Sequence, residues 1–198
     1  MSRSKAFPVF LMRHGETEWN KAQRIQGHLD SPLTENGLEQ ARVQGLLLEQ
    51  VFEEFPDMPV LSSPQTRAWR TAGIALEPHQ RTPQRCDDLR EISAGSWDGV
   101  LIEEIADRNA PLFEQARSHF ELMFMAPDGE GEATVLARAQ KVLSDLQGPS
   151  LLVAHGGTLA VLRGLLRGLE MPELLEISSG QGCIYRIENG REEILQSN

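Results

Sequence analysis

Two short apolar runs, one near each end of the chain, stop at a histidine followed by glycine. Pro8 to Met12 leads into Arg13-His14-Gly15, and Ser150 to Ala154 leads into His155-Gly156-Gly157. Apolar runs of this length suit buried strands. Here they alternate with longer stretches of helical periodicity, which is the pattern of an α/β domain with a mainly parallel central sheet. The clearest helical stretch puts Leu38, Ala41, Gly45, Leu48, Phe52 and Phe55 on one face by steps of three and four. Thr34 is suited to cap it, with Leu33 and Leu38 as a hydrophobic staple. Pro59 to Ser62 reads as a further strand, and Ser63-Pro64 as the N-cap and first residue of the next helix.

Residues Ile102 to Leu122 read as helical, broken near Pro111, and another helix is expected from about Glu130 to Leu146. A Gly156-Gly157 turn is expected to lead into a helix through Gly168. Strands at Cys183–Ile187 and Glu192–Leu195, joined by Asn189-Gly190, read as a terminal hairpin. The least regular stretch, about 96–128, is expected to be an insertion over the sheet edge within one domain covering 1–198.

The 198 residues, 40% hydrophobic and 24% charged, suffice for a globular domain with an ordinary core. With 19 basic and 29 acidic residues the net charge is −10. That disfavours nucleic acid and anionic membrane surfaces as partners, since both select a basic face. An anion site must therefore be a local basic pocket. Cys86 and Cys183 form no CxxC pair and read as reduced thiols. The apolar run before Arg13 is too short for a secretory signal, and no stretch approaches a membrane span. A cytoplasmic protein is expected.

Ligands of open parallel sheets bind beyond the carboxyl ends of the strands. His14 and His155 should meet there, beside glycines that admit a ligand to the backbone and a helix N-terminus that favours an anion. Arg67 falls in the first turn of the helix after the Pro59–Ser62 strand. Helical side chains lean towards the N-terminus, so its guanidinium should point back at the same edge. Arg13, Arg67 and two imidazoles suit a phosphoryl group. Taken singly, each residue has a plainer explanation: a structural pair for Arg13-His14, a turn residue for His155, a surface helix position for Arg67. No HExxH, paired-carboxylate or P-loop pattern occurs, so no metal site and no cofactor are expected.

The set of motifs resembles the histidine phosphatase superfamily, in its phosphoglycerate mutase-like branch. The resemblance rests on Arg13-His14-Gly15-Glu16-Thr17 with Asn20, Gln26-Gly27-His28 leading to Pro32-Leu33-Thr34, Ser63-Pro64 with Arg67, Leu89-Arg90-Glu91-Ile92, and Ala154-His155-Gly156-Gly157. It implies a three-layer α/β/α fold and a phosphatase that hydrolyses a small phosphomonoester, a small phosphorylated metabolite, through phosphohistidine at His14. Arg13, Arg67 and His155 would hold the phosphoryl oxygens, with Asn20 and Gly156 adding to the substrate site. Glu91 would be the proton donor; among Asp87, Asp88 and Asp98 nearby, only the family pattern singles it out. A homodimer is also a family-based expectation.

The segment from Leu89 to Gly99 resembles the phosphatase pattern and lacks the Asn-Glu-Arg-His-Tyr-Gly sequence of the mutases. The alternatives are a cofactor-dependent phosphoglycerate mutase and a non-catalytic phosphate-ester-binding regulatory protein. One departure is Gly131, where the family often has a serine after Glu130. Trp97, Phe113, Phe120, Met123, Phe124 and Met125 could roof a pocket or simply pack. Arg108 and Arg117 could meet a second anionic group or lie on a solvated helix face.

Overall fold

The computed structural model describes residues 5–197. Six strands form one sheet: β1 (Val9–Arg13), β2 (Val60–Ser62), β3 (Gln84–Arg85), β4 (Ser150–Ala154), β5 (Ile184–Glu188) and β6 (Arg191–Leu195). Their order is β3-β2-β4-β1-β5-β6. The first four in that order run parallel, and β5 and β6 run antiparallel to their neighbours. The helices are α1 (Glu18–Lys21), α2 (Glu35–Glu54), α3 (Thr66–Leu76), α4 (Ile102–Arg108), α5 (Ala110–Gln115), α6 (His119–Met125), α7 (Glu132–Asp145), α8 (Gly156–Arg167) and α9 (Met171–Leu174).

The continuous apolar runs of β1 and β4 follow from burial on both sides. Val9, Leu11, Leu152 and Ala154 pack with α7 and α8, while Phe10, Met12, Leu151 and Val153 pack with α2 and α3. The chain is thus a three-layer α/β/α fold with a mostly parallel sheet. Thr34 caps α2, its side chain accepting from Gly37 N. The final hairpin turns at Asn189 and Gly190, both at positive φ (51° and 78°), as a two-residue turn of this type requires. No helix among the described residues is long and apolar enough to cross a membrane.

Three elements differ from expectation. The helix after β2 begins at Thr66, not at Pro64. Its N-terminus is capped from afar: Asp30 Oδ2 accepts from Thr66 N (3.0 Å) and Asp30 Oδ1 from Arg67 N (3.4 Å). Ser63 is left in the loop. The 102–125 region breaks twice, at Asn109 and again at residues 116–118, giving α4, α5 and α6 around a small core of Ile25, Ala94, Trp97, Ile105, Leu122 and Ala126. Gly156 and Gly157 are the first residues of α8 instead of a turn before it.

At Gly131 the departure from serine has a backbone cause. It precedes α7 at φ 77°, ψ 153° with no side-chain cap, a region open essentially to glycine. Gly131→Ala is expected to destabilise the fold by about 1–3 kcal/mol, read from the urea midpoint. An unchanged midpoint would show that this junction relaxes freely.

Candidate active site

The carboxyl ends of β2, β4 and β1 carry Ser63, His155 and His14. Backbone hydrogen bonds fix all three positions: Ser63 N donates to Val153 O (2.9 Å), His14 N to Ala154 O (3.1 Å), and His155 O accepts from Leu159 N (2.8 Å). The imidazoles of His14 and His155 lie with ring centroids 5.1 Å apart.

His14 is buried, and its Nδ1 lies 2.8 Å from Gly15 O. A carbonyl only accepts, so Nδ1 carries the proton and Nε2 keeps its lone pair. Burial, then the charges of Arg67 and Arg13, hold the His14 pKa well below the ordinary 6.5. The ring is therefore neutral at pH 7, as a nucleophile requires.

Arg67 is 1% exposed, so it is no surface helix residue. Its Nε donates to His155 Nδ1 (3.1 Å), Nη1 to Leu29 O (2.6 Å) and Asp30 Oδ1 (2.9 Å), and Nη2 to Gly27 O (2.9 Å). Four of its five N–H groups are thus engaged within the protein, and the guanidinium is held rigidly at the cleft wall.

His155 is fully buried, with Nε2 2.8 Å from Ser63 Oγ. Since Nδ1 accepts from Arg67, Nε2 must carry the proton of the neutral ring. Burial and then Arg67 hold its pKa well below 6.5 too. The structure brings His155 against Arg67 and His14 but not onto the cleft surface. Its direct contacts are with those neighbours.

Arg13 donates from Nη1 to Ser179 O (2.6 Å). Its Nε is buried without a hydrogen-bond partner, an orphan donor that an anion would satisfy. Gly156 lets that guanidinium approach the start of α8; a Cβ there would sit 3.2 Å from Arg13 Cζ. Asn20 Oδ1 accepts from Thr17 N (3.1 Å) and Gln181 Nε2 (3.2 Å), which fixes the amide and leaves its Nδ2 as the donor. Asn20 lines the cleft.

Glu91 docks on the N-terminus of α8. Oε1 accepts from Ile92 N and Thr158 N (3.0 Å each), and Oε2 from Gly157 N (3.2 Å). Thr158 Oγ1 lies 2.6 Å from Arg90 O and 3.3 Å from Glu91 Oε1. A Cβ at Gly157 would lie 2.9 Å from Ile92 Cδ1 and 3.0 Å from Glu91 Oε1, so a side chain there would press on Ile92 and crowd this carboxylate. Asp87 and Asp88 are engaged elsewhere, with Arg90 and Lys141. Asp98 braces loops by accepting from His28 N and Ala94 N. Glu91 alone of the four lines the cleft.

The cleft has a volume of about 450 Å³. Of the proposed roof residues, Phe120 and Met123 line it, while Trp97 and Phe113 pack into the core beneath α4–α6 and Phe124 packs against the α7–α8 side of the sheet. Arg108 and Arg117 do not line it and pair with Glu104 and Glu121. Sequence reasoning missed Gln65, whose Oε1 accepts from Glu91 N (2.7 Å) and whose Nε2 donates to Gly27 O (2.8 Å). It also missed the wall from Leu175 to Ser179. A larger cleft of about 620 Å³ opens at the amino ends of β2 and β4. Its charged lining, Glu54, Asp57 and Asp145, is acidic and unsuited to a phosphoryl group.

With two buried neutral histidines, stability has a defined pH sense. Above about pH 6.5 both rings are neutral folded or unfolded. Below it the unfolded chain binds protons that the folded chain refuses, so stability falls with pH until the depressed folded values are reached. Each ring contributes up to about 1.4 kcal/mol per pH unit in that window. Urea midpoints should fall from pH 7 to pH 5.5, and a flat profile would contradict the neutral assignment.

The histidine phosphatase superfamily (branch 1) model matches residues 9–197. The chain belongs to this family. It is 37% identical over 169 residues to a probable phosphoglycerate mutase of Serratia proteamaculans, covering 81% of this chain and 75% of that one. It is 29% identical over 185 residues to the adenosylcobalamin/alpha-ribazole phosphatase of Salmonella typhimurium, covering 91% and 89%. Among solved structures, the mycobacterial glucosyl-3-phosphoglycerate phosphatase, in complex with VO3, superposes with TM-score 0.77 at 25% identity, over 96% of this chain and 98% of that one.

Proposed function

We propose that the protein is a phosphatase that hydrolyses a small phosphomonoester through a phosphohistidine at His14. The observation that carries the reading is the His14 ring itself: neutral, with Nδ1 donating to Gly15 O and Nε2 free, between the two guanidinium groups of Arg13 and Arg67. Nε2 attacks phosphorus, the ester P–O bond breaks, and Glu91 gives its proton to the leaving oxygen. Water then attacks phosphorus, Glu91 takes a proton from it, the P–N bond breaks, and phosphate leaves. Arg13, Arg67 and Asn20 stabilise the charge on the transferring group. His155 acts through Arg67, whose Nε it accepts.

Hydrolysis is favoured over mutase action by the absence of the mutase sequence after Glu91 and by the lack of a second cluster of free cations in the cleft. Charge neutralisation falls to the arginines, so turnover is expected to persist in excess chelator. The partner is a small phosphorylated metabolite, the setting the cytoplasm, and the 96–128 segment an insertion within a single domain. Phosphate release from a panel of phosphomonoesters in chelator tests the reading. Isomerised phosphoglycerate without net phosphate release would replace it by the mutase.

A further inference from the structure

We infer that the substrate's leaving group is apolar: the outer half of the cleft is built for an alkyl or aryl alcohol in preference to a second anionic group. The inference rests on the phosphatase reading for the position of the phosphoryl end and deepens it. Beyond Arg13, His14, Arg67 and Glu91, six apolar side chains line the cleft, Ile25, Ile102, Phe120, Met123, Leu175 and Ile177 from four separate segments, with the neutral polar Gln26, Ser118 and Ser178 between them.

These walls are tied together. Phe120 and Met123 stand one turn apart on one face of α6. Ser118 caps that helix and donates from Oγ to Leu175 O (3.0 Å), joining α6 to the wall after α9. Ile25 is held by its backbone, its N donating to Val100 O (3.0 Å) and its O accepting from Gly99 N (2.8 Å).

The charges of the outer half point the same way. Arg24 and Glu176 are the charged lining residues there. Arg24 donates from Nη1 to Gly99 O and stacks over the Trp19 ring at 5.5 Å. Glu176 is exposed at the rim. The two charges are of opposite sign and Arg24 is tied to Gly99 and Trp19, so the outer half offers a carboxylate no net cationic site, whereas an apolar chain loses water against six apolar side chains. The cleft volume of about 450 Å³ fits a small organic ester.

The test is a series of n-alkylphosphonates from ethyl to hexyl, which present the same head group and resist hydrolysis. Their affinity should rise by roughly two- to fourfold per methylene, the upper figure corresponding to full burial at about 0.8 kcal/mol per CH₂. Hexylphosphonate should bind at least tenfold more tightly than 3-phosphoglycerate, on the order set by that same scale. Met123→Gln should shrink the hexyl-to-ethyl affinity ratio. Affinity independent of chain length, or tighter binding of 3-phosphoglycerate, overturns the inference. Phosphate release from hexyl phosphate is measured alongside. Rising affinity with no release would uphold the apolar site and overturn the phosphatase reading; release with flat length dependence would do the reverse.

Discussion

His14→Ala is expected to abolish phosphate release and phosphoenzyme formation together, with a loss of at least about a thousandfold in kcat/KM, the scale seen when a covalent nucleophile is removed. The other residues cannot replace it. His155 has both ring nitrogens committed, to Arg67 Nε and Ser63 Oγ, and is fully buried. Glu91 accepts backbone hydrogen bonds on both oxygens. Removing the imidazole leaves both guanidinium groups in place, Arg13 with its unpartnered Nε and Arg67 with one uncommitted N–H, so phosphate binding should survive in the variant. Samples turning over substrate and quenched in alkaline detergent, where the P–N bond survives, should show phosphohistidine in the wild type alone. Normal turnover by His14→Ala would end the covalent mechanism.

Glu91→Gln is expected to lower turnover by about 10²- to 10⁴-fold for alkyl phosphates, the usual worth of general acid–base catalysis. For p-nitrophenyl phosphate, whose leaving group needs no proton, the loss in the first step should be far smaller. The substitution has a structural cost as well. A carboxylate can accept from Ile92 N, Thr158 N and Gly157 N on two oxygens, whereas the amide turns its NH₂ towards at least one of those donors. That mismatch costs about 1–3 kcal/mol and should appear in the urea midpoint. The leaving-group contrast separates the two effects, since a merely loosened site would lose activity equally on both esters. Equal loss in the first step, read as the rate of phosphoenzyme formation, would remove Glu91 from the acid's role.

The strand ends were legible in the sequence because burial on both faces of the sheet leaves unbroken apolar runs, and because Arg13-His14 and His155-Gly156-Gly157 follow those runs directly. Thr34 and Asn189-Gly190 were legible because capping and hairpin turns are decided within a few residues. Asp30 was not: it caps α3 and pairs with Arg67 across 37 positions, and nothing local to Ser63-Pro64 reveals that the cap comes from elsewhere. Gln65 escaped for the same reason, as its two partners lie at Gly27 and Glu91. The roof was half legible. Six bulky residues were candidates, and that only Phe120 and Met123 of them line the cleft depends on how α5, α6 and the Trp97 loop pack around Leu122, a tertiary fact. Leu175 to Ser179 carry no periodicity and become a wall because distant side chains, those of Ser118, Arg163 and Arg13, bond their carbonyls.

β1 and β4 pair in register from Val9 opposite Ser150 to Arg13 opposite Ala154, so His14 and His155 are each the next residue along. Their spacing is therefore inherited from the interstrand distance of about 4.8 Å common to all sheets. Repacking side chains in the core cannot retune it, and neither can changes in the loops. The reacting end of the cleft is in this sense a fixed instrument, while its outer walls, drawn from the Ile25 loop, α4, α6 and the strap after α9, can exchange residues without disturbing it. Lineages of this architecture are free to change which alcohol they release while conserving how they release it.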